Sequence, residues 1–170
     1  MHSRSVVHGD LSGSNVLIHG NGRACIADFG LSTLITELGG STFAICSQAG
    51  GTLRWAAPEL LDIQASENGK QRPNVVPTPR SDIYSFGAIM LQVLTGRVPY
   101  YYYFREARVL HAISKGEFPK RPSQALVTDL QWAFIQRCWT PVDVGHSRPS
   151  DEDIVEFTRN ELVKFVLPQS

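Results

Sequence analysis

The sequence predicts a mainly α fold, a bundle of helices around one buried central helix, with a single small β-hairpin near its start. Three observations carry this prediction. Between Ser81 and Gly96 apolar residues recur at helical spacing and spread well beyond one face. Further helical patterns follow, punctuated by prolines. Upstream, Asn21-Gly22 sits between two short apolar runs, which is a hairpin signal.

The hairpin comes first along the chain. Val16-Leu17-Ile18-His19 and Ala24-Cys25-Ile26-Ala27 are its expected strands, with Asn21-Gly22 as a two-residue turn. Such a turn pairs Asn15 with Asp28 and sets an amide beside a carboxylate at the open end. From Gly30 to about Thr52 the chain is rich in Ser, Thr and Gly, and a long loop is expected there. A short helix is expected to start near Pro58, with proline in its first turn. Residues 64–79 hold Ser, Asn, Gly and several prolines, and predict a flexible, solvent-exposed insertion.

The central helix follows. Ser81 is its expected N-cap, and Asp82 suits the first turn. Ile83, Phe86, Met90 and Val93 recur at helical spacing, and Ile89, Leu91 and Leu94 widen the apolar surface. A helix buried nearly all round is expected, ended by Gly96. Later helices are expected at about Arg105–Ser114, Thr128–Cys138 and Asp151–Val163. The run Tyr100-Tyr101-Tyr102-Tyr103-Phe104 is expected to pack a loop against the next helix, and Trp55, Trp132 and Trp139 to pack the interior.

Composition bounds the function. The 170 residues suffice for one domain, and Lys plus Arg balances Asp plus Glu at 16 each. No net field draws the chain to nucleic acid or to an anionic membrane, so neither is an expected partner. No run approaches the ~20 apolar residues of a membrane span, and the start shows no signal peptide. Cys25, Cys46 and Cys138 are odd in number and widely spaced. They read as reduced thiols of a cytoplasmic or nuclear protein, not as a zinc site.

Three polar residues stand together near the start: Asp10, Asn15 and Asp28. Phosphoryl transfer needs a carboxylate to orient the attacking hydroxyl, and oxygen ligands to hold Mg²⁺ against the phosphates. Asp10 suits the first task, while Asn15 and Asp28 suit the second. Gly30 would let the backbone turn away after Asp28-Phe29.

At these residues a resemblance becomes plain. His8-Gly9-Asp10-Leu11-Ser12-Gly13-Ser14-Asn15 resembles the protein-kinase catalytic loop, H-R-D-L-x-x-x-N. Asp28-Phe29-Gly30 resembles D-F-G, and Ala57-Pro58-Glu59 resembles A-P-E. Ser81-Asp82-Ile83-Tyr84-Ser85-Phe86-Gly87 resembles the start of the family's central helix, and Arg137-Cys138-Trp139 with Arg148-Pro149 its closing motif. Each motif alone is weak. Together, in order from Val7 to Phe157, they are specific. The Arg54-Trp55-Ala56-Ala57-Pro58-Glu59 run looks like the tyrosine-kinase-like serine/threonine subgroup, and the catalytic-loop wording looks like that of fungal members.

The resemblance implies the C-terminal lobe of a eukaryotic-type protein kinase. Residues 1–165 would form a partial kinase domain and residues 166–170 a tail. The implied reaction moves the γ-phosphoryl group of ATP, with Mg²⁺, to Ser/Thr hydroxyls of a protein substrate. Asp10 would be the catalytic base, Asn15 and Asp28 the metal ligands, and Thr52 a substrate-facing residue. Glu59 and Arg148 would form a buried ion pair, Asp82 would anchor the catalytic loop, and His8, Phe29 and Gly30 would be structural.

Three departures bear on activity. Only seven residues precede His8, where kinases carry about a hundred, including the Gly-rich loop, its lysine and the pairing glutamate. On this reading the N-terminal β-rich lobe is absent. Ser12, a possible phosphate-proximal residue, stands where serine/threonine kinases place a lysine. Gly9 stands where an arginine commonly pairs with a phosphorylated activation loop, so phosphorylation at Ser32, Thr36, Ser41, Thr42 or Ser47 is not expected to switch activity by that route. Impaired activity of this chain alone is therefore expected. The alternatives are a non-catalytic, pseudokinase-like interaction module with a docking partner, or a truncated gene product. A lobe completed by an N-lobe-containing partner is a further possibility.

Overall fold

The structure, a computed structural model, describes residues 6–28, 51–61, 76–122, 126–142 and 148–166, with side chains described up to residue 161. The described residues are mainly helical, with one small antiparallel sheet among them. The sheet pairs β1 (Val16–Ile18) with β2 (Ala24–Ile26). The helices are α1 (Pro79–Thr95), α2 (Glu106–Ser114), α3 (Asp129–Cys138) and α4 (Asp151–Val166). Single 3₁₀ turns occur at Gly13–Asn15, Leu53–Trp55 and Pro58–Leu60. The helix expected near Pro58 is, among the described residues, this last 3₁₀ turn.

Helix α1 starts two residues earlier than its expected cap. Thr78 is the N-cap, and Ser81 lies at the third helical position. The Ser81 amide donates to Thr78 Oγ1 at 3.3 Å, and the Thr78 amide donates to Ser81 Oγ at 3.0 Å. This reciprocal box satisfies two amides at once. Pro79 fits the first helical position because the N–H it lacks has no partner there. The expected insertion therefore ends inside the helix, and residues 64–75 lie outside the described residues.

Burial along α1 is uneven. Ser81, Asp82, Ile83, Tyr84 and Ser85 are all buried, so this stretch is enclosed on every side. Farther along, Phe86, Met90 and Leu94 are only partly buried, and Val93 is 75% exposed. The expected all-round burial holds from Ser81 to Ser85 and fails at the far end. Helix α1 packs chiefly on α3 and on the Leu53–Trp55 turn. Ser85 Oγ donates to the Trp55 carbonyl at 2.9 Å, and Trp55 Nε1 donates to Gln92 Oε1 at 3.0 Å.

The main core joins Leu60, Ile83, Tyr84, Leu91, Phe134, Ile135 and Trp139, and α4 adds Ile154 and Phe157 at its margin. Full burial of each large apolar side chain stabilises by ~1.5–3 kcal/mol. A second cluster sets Leu53, Leu61 and Tyr100 against Val109 and Ile113 of α2. The tyrosine run divides: Tyr100 is buried, Tyr102 and Tyr103 pack partly, and Phe104 is 97% exposed. Burial pushes the Cys138 thiol up to about 12, so it stays protonated at neutral pH. Cys25 is a half-buried free thiol, and Cys46 lies outside the described residues.

The hairpin forms at the expected place in a different register. Val16 pairs with Ile26, Leu17 with Cys25 and Ile18 with Ala24. The loop is Gly20-Asn21-Gly22, one residue longer than a two-residue turn. A two-residue type I′ turn needs positive φ at both central residues. Here Gly22 has φ 79°, while Asn21 is not among the positive-φ residues. The Gly22 amide donates to the His19 carbonyl at 2.8 Å, and the Arg23 amide donates to Asn21 Oδ1 at 3.1 Å. That is a three-residue turn with its glycine left-handed. Asn15 consequently faces Ala27, whose amide donates to the Asn15 carbonyl at 2.8 Å, and not Asp28.

Glu59 and Arg148 clamp the lobe. Arg148 Nη1 and Nη2 donate to Glu59 Oε1 and Oε2 at 2.6 and 3.0 Å. The remaining donors reach the carbonyls of Thr140 and Arg80 at 2.9 and 2.7 Å. The Arg148 side chain is 1% exposed and that of Glu59 26%.

Two stability outcomes are expected in urea denaturation. Glu59→Gln strands the Arg148 charge and should cost about 3 kcal/mol, the low end for a buried pair because the carboxylate is partly solvated. Gly87→Ala should destabilise although alanine favours helices by ~1 kcal/mol. Its new Cβ would lie 2.7 Å from Cys138 Cβ, an overlap that costs ~1–3 kcal/mol.

Candidate active site

The candidate site is assembled around the start of α1. Asp82 is 2% exposed and lies in the helix's first turn, where the positive end of the dipole favours a carboxylate. Its Oδ2 accepts the His8 amide at 2.8 Å, and its Oδ1 accepts the Gly9 amide at 2.9 Å. Gly9 has φ 80°, a conformation glycine adopts without strain. One buried carboxylate thus holds two successive amides of the loop that carries Asp10.

His8 locks the same loop to the hairpin. Its Nε2–H donates to the Ala27 carbonyl at 2.9 Å, and its Nδ1 accepts the Asp10 amide at 3.3 Å. One nitrogen donates and the other accepts, which is the pattern of a neutral ring. The ring is 1% exposed, so it supports the loop and does not face solvent.

Asp10 is half-buried. Burial raises its pKa above the ordinary carboxylate value, and the Asp28 charge adds to the rise. A hydrogen bond from the Thr52 hydroxyl opposes it. Thr52 is itself buried and caps the Leu53–Trp55 turn. Asp10, Thr52 and Asp28 are therefore near neighbours, drawn from three separate parts of the sequence.

Asn15 is 8% exposed and ends the 3₁₀ turn at Gly13–Asn15. Its Nδ2 donates to the Asp10 carbonyl at 2.8 Å, which leaves Oδ1 as its side chain's open acceptor. Asp28 is exposed and has φ 59°, in the left-handed region. Aspartate tolerates that region better than most residues, and such strain gathers at functional sites. Ser12 is fully buried, and its Oγ shares a 2.7 Å hydrogen bond with Ser14 Oγ. Its hydroxyl is engaged within its own loop. Phe29, Gly30 and the five loop hydroxyl residues Ser32, Thr36, Ser41, Thr42 and Ser47 lie outside the described residues.

Arg54 is the residue whose role sequence reasoning missed. Its Nη1 donates to the carbonyls of Pro99 and Tyr100 at 3.0 and 2.9 Å, and its Nη2 donates to that of Tyr103 at 2.8 Å. Nε completes the set with Glu106 Oε1 at 3.0 Å. Three of the four acceptors are backbone carbonyls, which carry no sequence signature. Arg54 thereby fastens the turn after Thr52 to the segment leading into α2.

The central helix thus anchors a loop that carries Asp10 and Asn15 beside a second aspartate, Asp28. The chain belongs to the protein tyrosine and serine/threonine kinase family, whose family model matches residues 1–157. It is 27% identical over 98% of its length to the serine/threonine-protein kinase STY17 of Arabidopsis thaliana, and 31% identical over 99% to the serine/threonine/tyrosine-protein kinase HT1 of the same plant. Over 57% of its length it is 37% identical to an inactive leucine-rich repeat receptor-like serine/threonine-protein kinase of Arabidopsis thaliana. The chain spans 25% of STY17 and 38% of HT1. No helix among the described residues is long and apolar enough to cross a membrane.

The raised Asp10 pKa sets a pH signature. The folded state holds this proton more tightly than the unfolded chain does. Stability should therefore fall as pH rises from the ordinary aspartate value of 3.8 through the folded value, and the loss should persist at neutral pH. Asp10→Asn should remove that step, so the variant should be the more stable at pH 7 and lose its advantage below pH 3.8. Thermal melts of both proteins across pH 3 to about 8 check this.

Proposed function

We propose that residues 1–165 are the catalytic-loop side of a protein serine/threonine kinase domain of the tyrosine-kinase-like subgroup. The reaction is transfer of the ATP γ-phosphoryl group to a Ser or Thr hydroxyl of a protein substrate, in the cytoplasm or nucleus. The observation that carries this reading is the convergence of Asp10, Asn15, Asp28 and Thr52 on one edge of the lobe, held there by Asp82 and His8.

The donor set fits Mg²⁺. Asn15 Oδ1 and the Asp28 carboxylate are hard oxygen ligands, and among the described residues no three His, Cys, Asp or Glu cluster as an all-protein cage. Mg²⁺ favours few carboxylates, completing its shell with water and phosphate oxygens. When bound, MgATP supplies the phosphoryl group and neutralises charge on it. Asp10 accepts a hydrogen bond from the substrate hydroxyl and orients it for attack. The Thr52 hydroxyl, bonded to Asp10, sets the direction of that carboxylate and lines the acceptor's approach. His8 and Asp82 hold the loop's backbone, and Glu59 with Arg148 holds the lobe beneath it.

The residues brought together among the described residues correspond to the catalytic-loop half of such a site. A Gly-rich loop and a lysine on the phosphates would come from another segment or from a partner in trans. A specific observation also favours a second, non-catalytic reading. Ser12 stands at the phosphate-proximal position with its hydroxyl turned to Ser14, so this residue brings no positive charge to the phosphates. On that reading the chain is an interaction module that keeps its substrate-docking face.

Two measurements decide. Calorimetric titration of the chain alone with MgATP should give no saturable heat; binding abolished by Asp28→Ala would show a metal site that works unaided. In a fusion carrying an N-terminal kinase lobe, phosphate should reach Ser/Thr of a protein acceptor. Asp10→Ala should lower that rate by at least ~10²-fold. A rate indifferent to Asp10→Ala would sink the catalytic assignment.

A further inference from the structure

We propose that the cavity at the C-terminal end of α1 docks an acidic peptide segment bearing one aliphatic anchor. The cavity has a volume of ≈ 110 Å³. Leu91 and Thr95 of α1, Tyr100 and Tyr102, Pro119 and Leu126 form its walls. A cavity that admits benzene measures about 150 Å³, so this one suits a leucine-like side chain better than an aromatic ring. Its rim is apolar and open to solvent, with Tyr101 48% and Leu126 57% exposed.

Charge selects the flanks of the ligand. Arg97 and Lys120 both line the cavity. The Arg97 guanidinium lies 4.6 Å from the Tyr101 ring centroid, and the Lys120 ammonium 5.2 Å from that of Tyr102. Neither has a carboxylate within ion-pair distance among the described residues; Glu117, on the same connection, pairs with neither. Arginines 54, 121 and 148, by contrast, are each paired with an acid. An exposed cation over a ring is held only weakly. Incoming carboxylates can engage these cations without breaking an ion pair among the described residues, and the tyrosine faces remain to cover the neighbouring ligand side chains. Two cations around a pit are too few for an anionic membrane surface, where basic clusters of about 4–8 residues act.

The place in the fold gives docking a use. Along α1 the cavity lies on the order of 20 Å from Asp82, at 1.5 Å per residue, so a docked peptide leaves the catalytic loop free. Its wall is still tied to the acceptor-facing loop. Tyr100 has φ 55°, strained for a bulky residue, and Arg54 holds its carbonyl together with that of Pro99. Arg54 in turn belongs to the Leu53–Trp55 turn that Thr52 caps.

The test is fluorescence anisotropy of a labelled Asp-Glu-Leu-Pro-Glu-Glu peptide titrated with the whole chain. Saturable binding is expected, weaker at high salt. The exposed double substitution Arg97→Gln/Lys120→Gln should weaken it about tenfold, and so should serine in place of the peptide's leucine. Asp28→Ala should leave it unchanged, which separates this site from the phosphotransfer reading. No binding, equal binding of a peptide with Gln for each acid, or a double variant that binds like the parent with unchanged circular dichroism would each overturn the proposal. Preference for vesicles of about 30% phosphatidylserine would overturn it in favour of a membrane surface. Self-association abolished by the same substitutions would overturn it in favour of a second copy of the chain.

Discussion

The Asp82 carboxylate is the interaction on which the rest of this structure depends. It is nearly inaccessible, and a buried charge is costly unless it is fully bonded. Two loop amides and the positive end of α1 supply that bonding, so the loop cannot leave without exposing an unsatisfied charge. Everything at the candidate site follows from this fixed point. His8 is placed to reach the Ala27 carbonyl, which ties in the hairpin, and Asn15 is placed to reach the Asp10 carbonyl. The hairpin needs such ties. Leu17 and Ile18 are half-exposed or more, and a lone two-stranded sheet is marginal in water.

A second layer of polar fastening holds the acceptor-facing side. Arg54 and Arg148 do similar work at opposite ends of one segment. Each pairs with a glutamate, and each spends its remaining donors on backbone carbonyls. The planar guanidinium makes this possible, since its five donors fan out in one fixed plane. Between them the chain from Thr52 to Leu61 packs as successive 3₁₀ turns against α1. A charge held this way positions backbone, so the gain is geometric definition more than net stability.

The hairpin shows where reading from sequence stops. Its strands and their turn residues were legible, because Asn-Gly between β-rich runs has few other uses. Its register was not. The same residues could close either a two-residue or a three-residue turn, and here Asn21 does not take the positive φ that the two-residue type I′ turn needs. The longer turn moves Asp28 out of the ladder and into a left-handed bend. The neighbourhood of Asp10 and Asp28 survives because His8 and Asp82 set it, and cross-strand pairing does not. Likewise Ser81 looked like a cap, and Thr78 won because the helix extended back to Pro79, where a proline costs nothing.

By itself the sequence determined the mainly helical class, the central helix, the hairpin's place and the set of chemically apt residues. These depend on local periodicity, turn chemistry and side-chain type, all written in neighbouring residues. Only the tertiary structure decided which of those residues meet. Asp10 finds Thr52, Glu59 finds Arg148, and Arg54 finds the carbonyls before α2 across separations that no local pattern records. The reason is physical: a buried polar group must find a partner somewhere, but which backbone atom provides it is settled by how the helices pack.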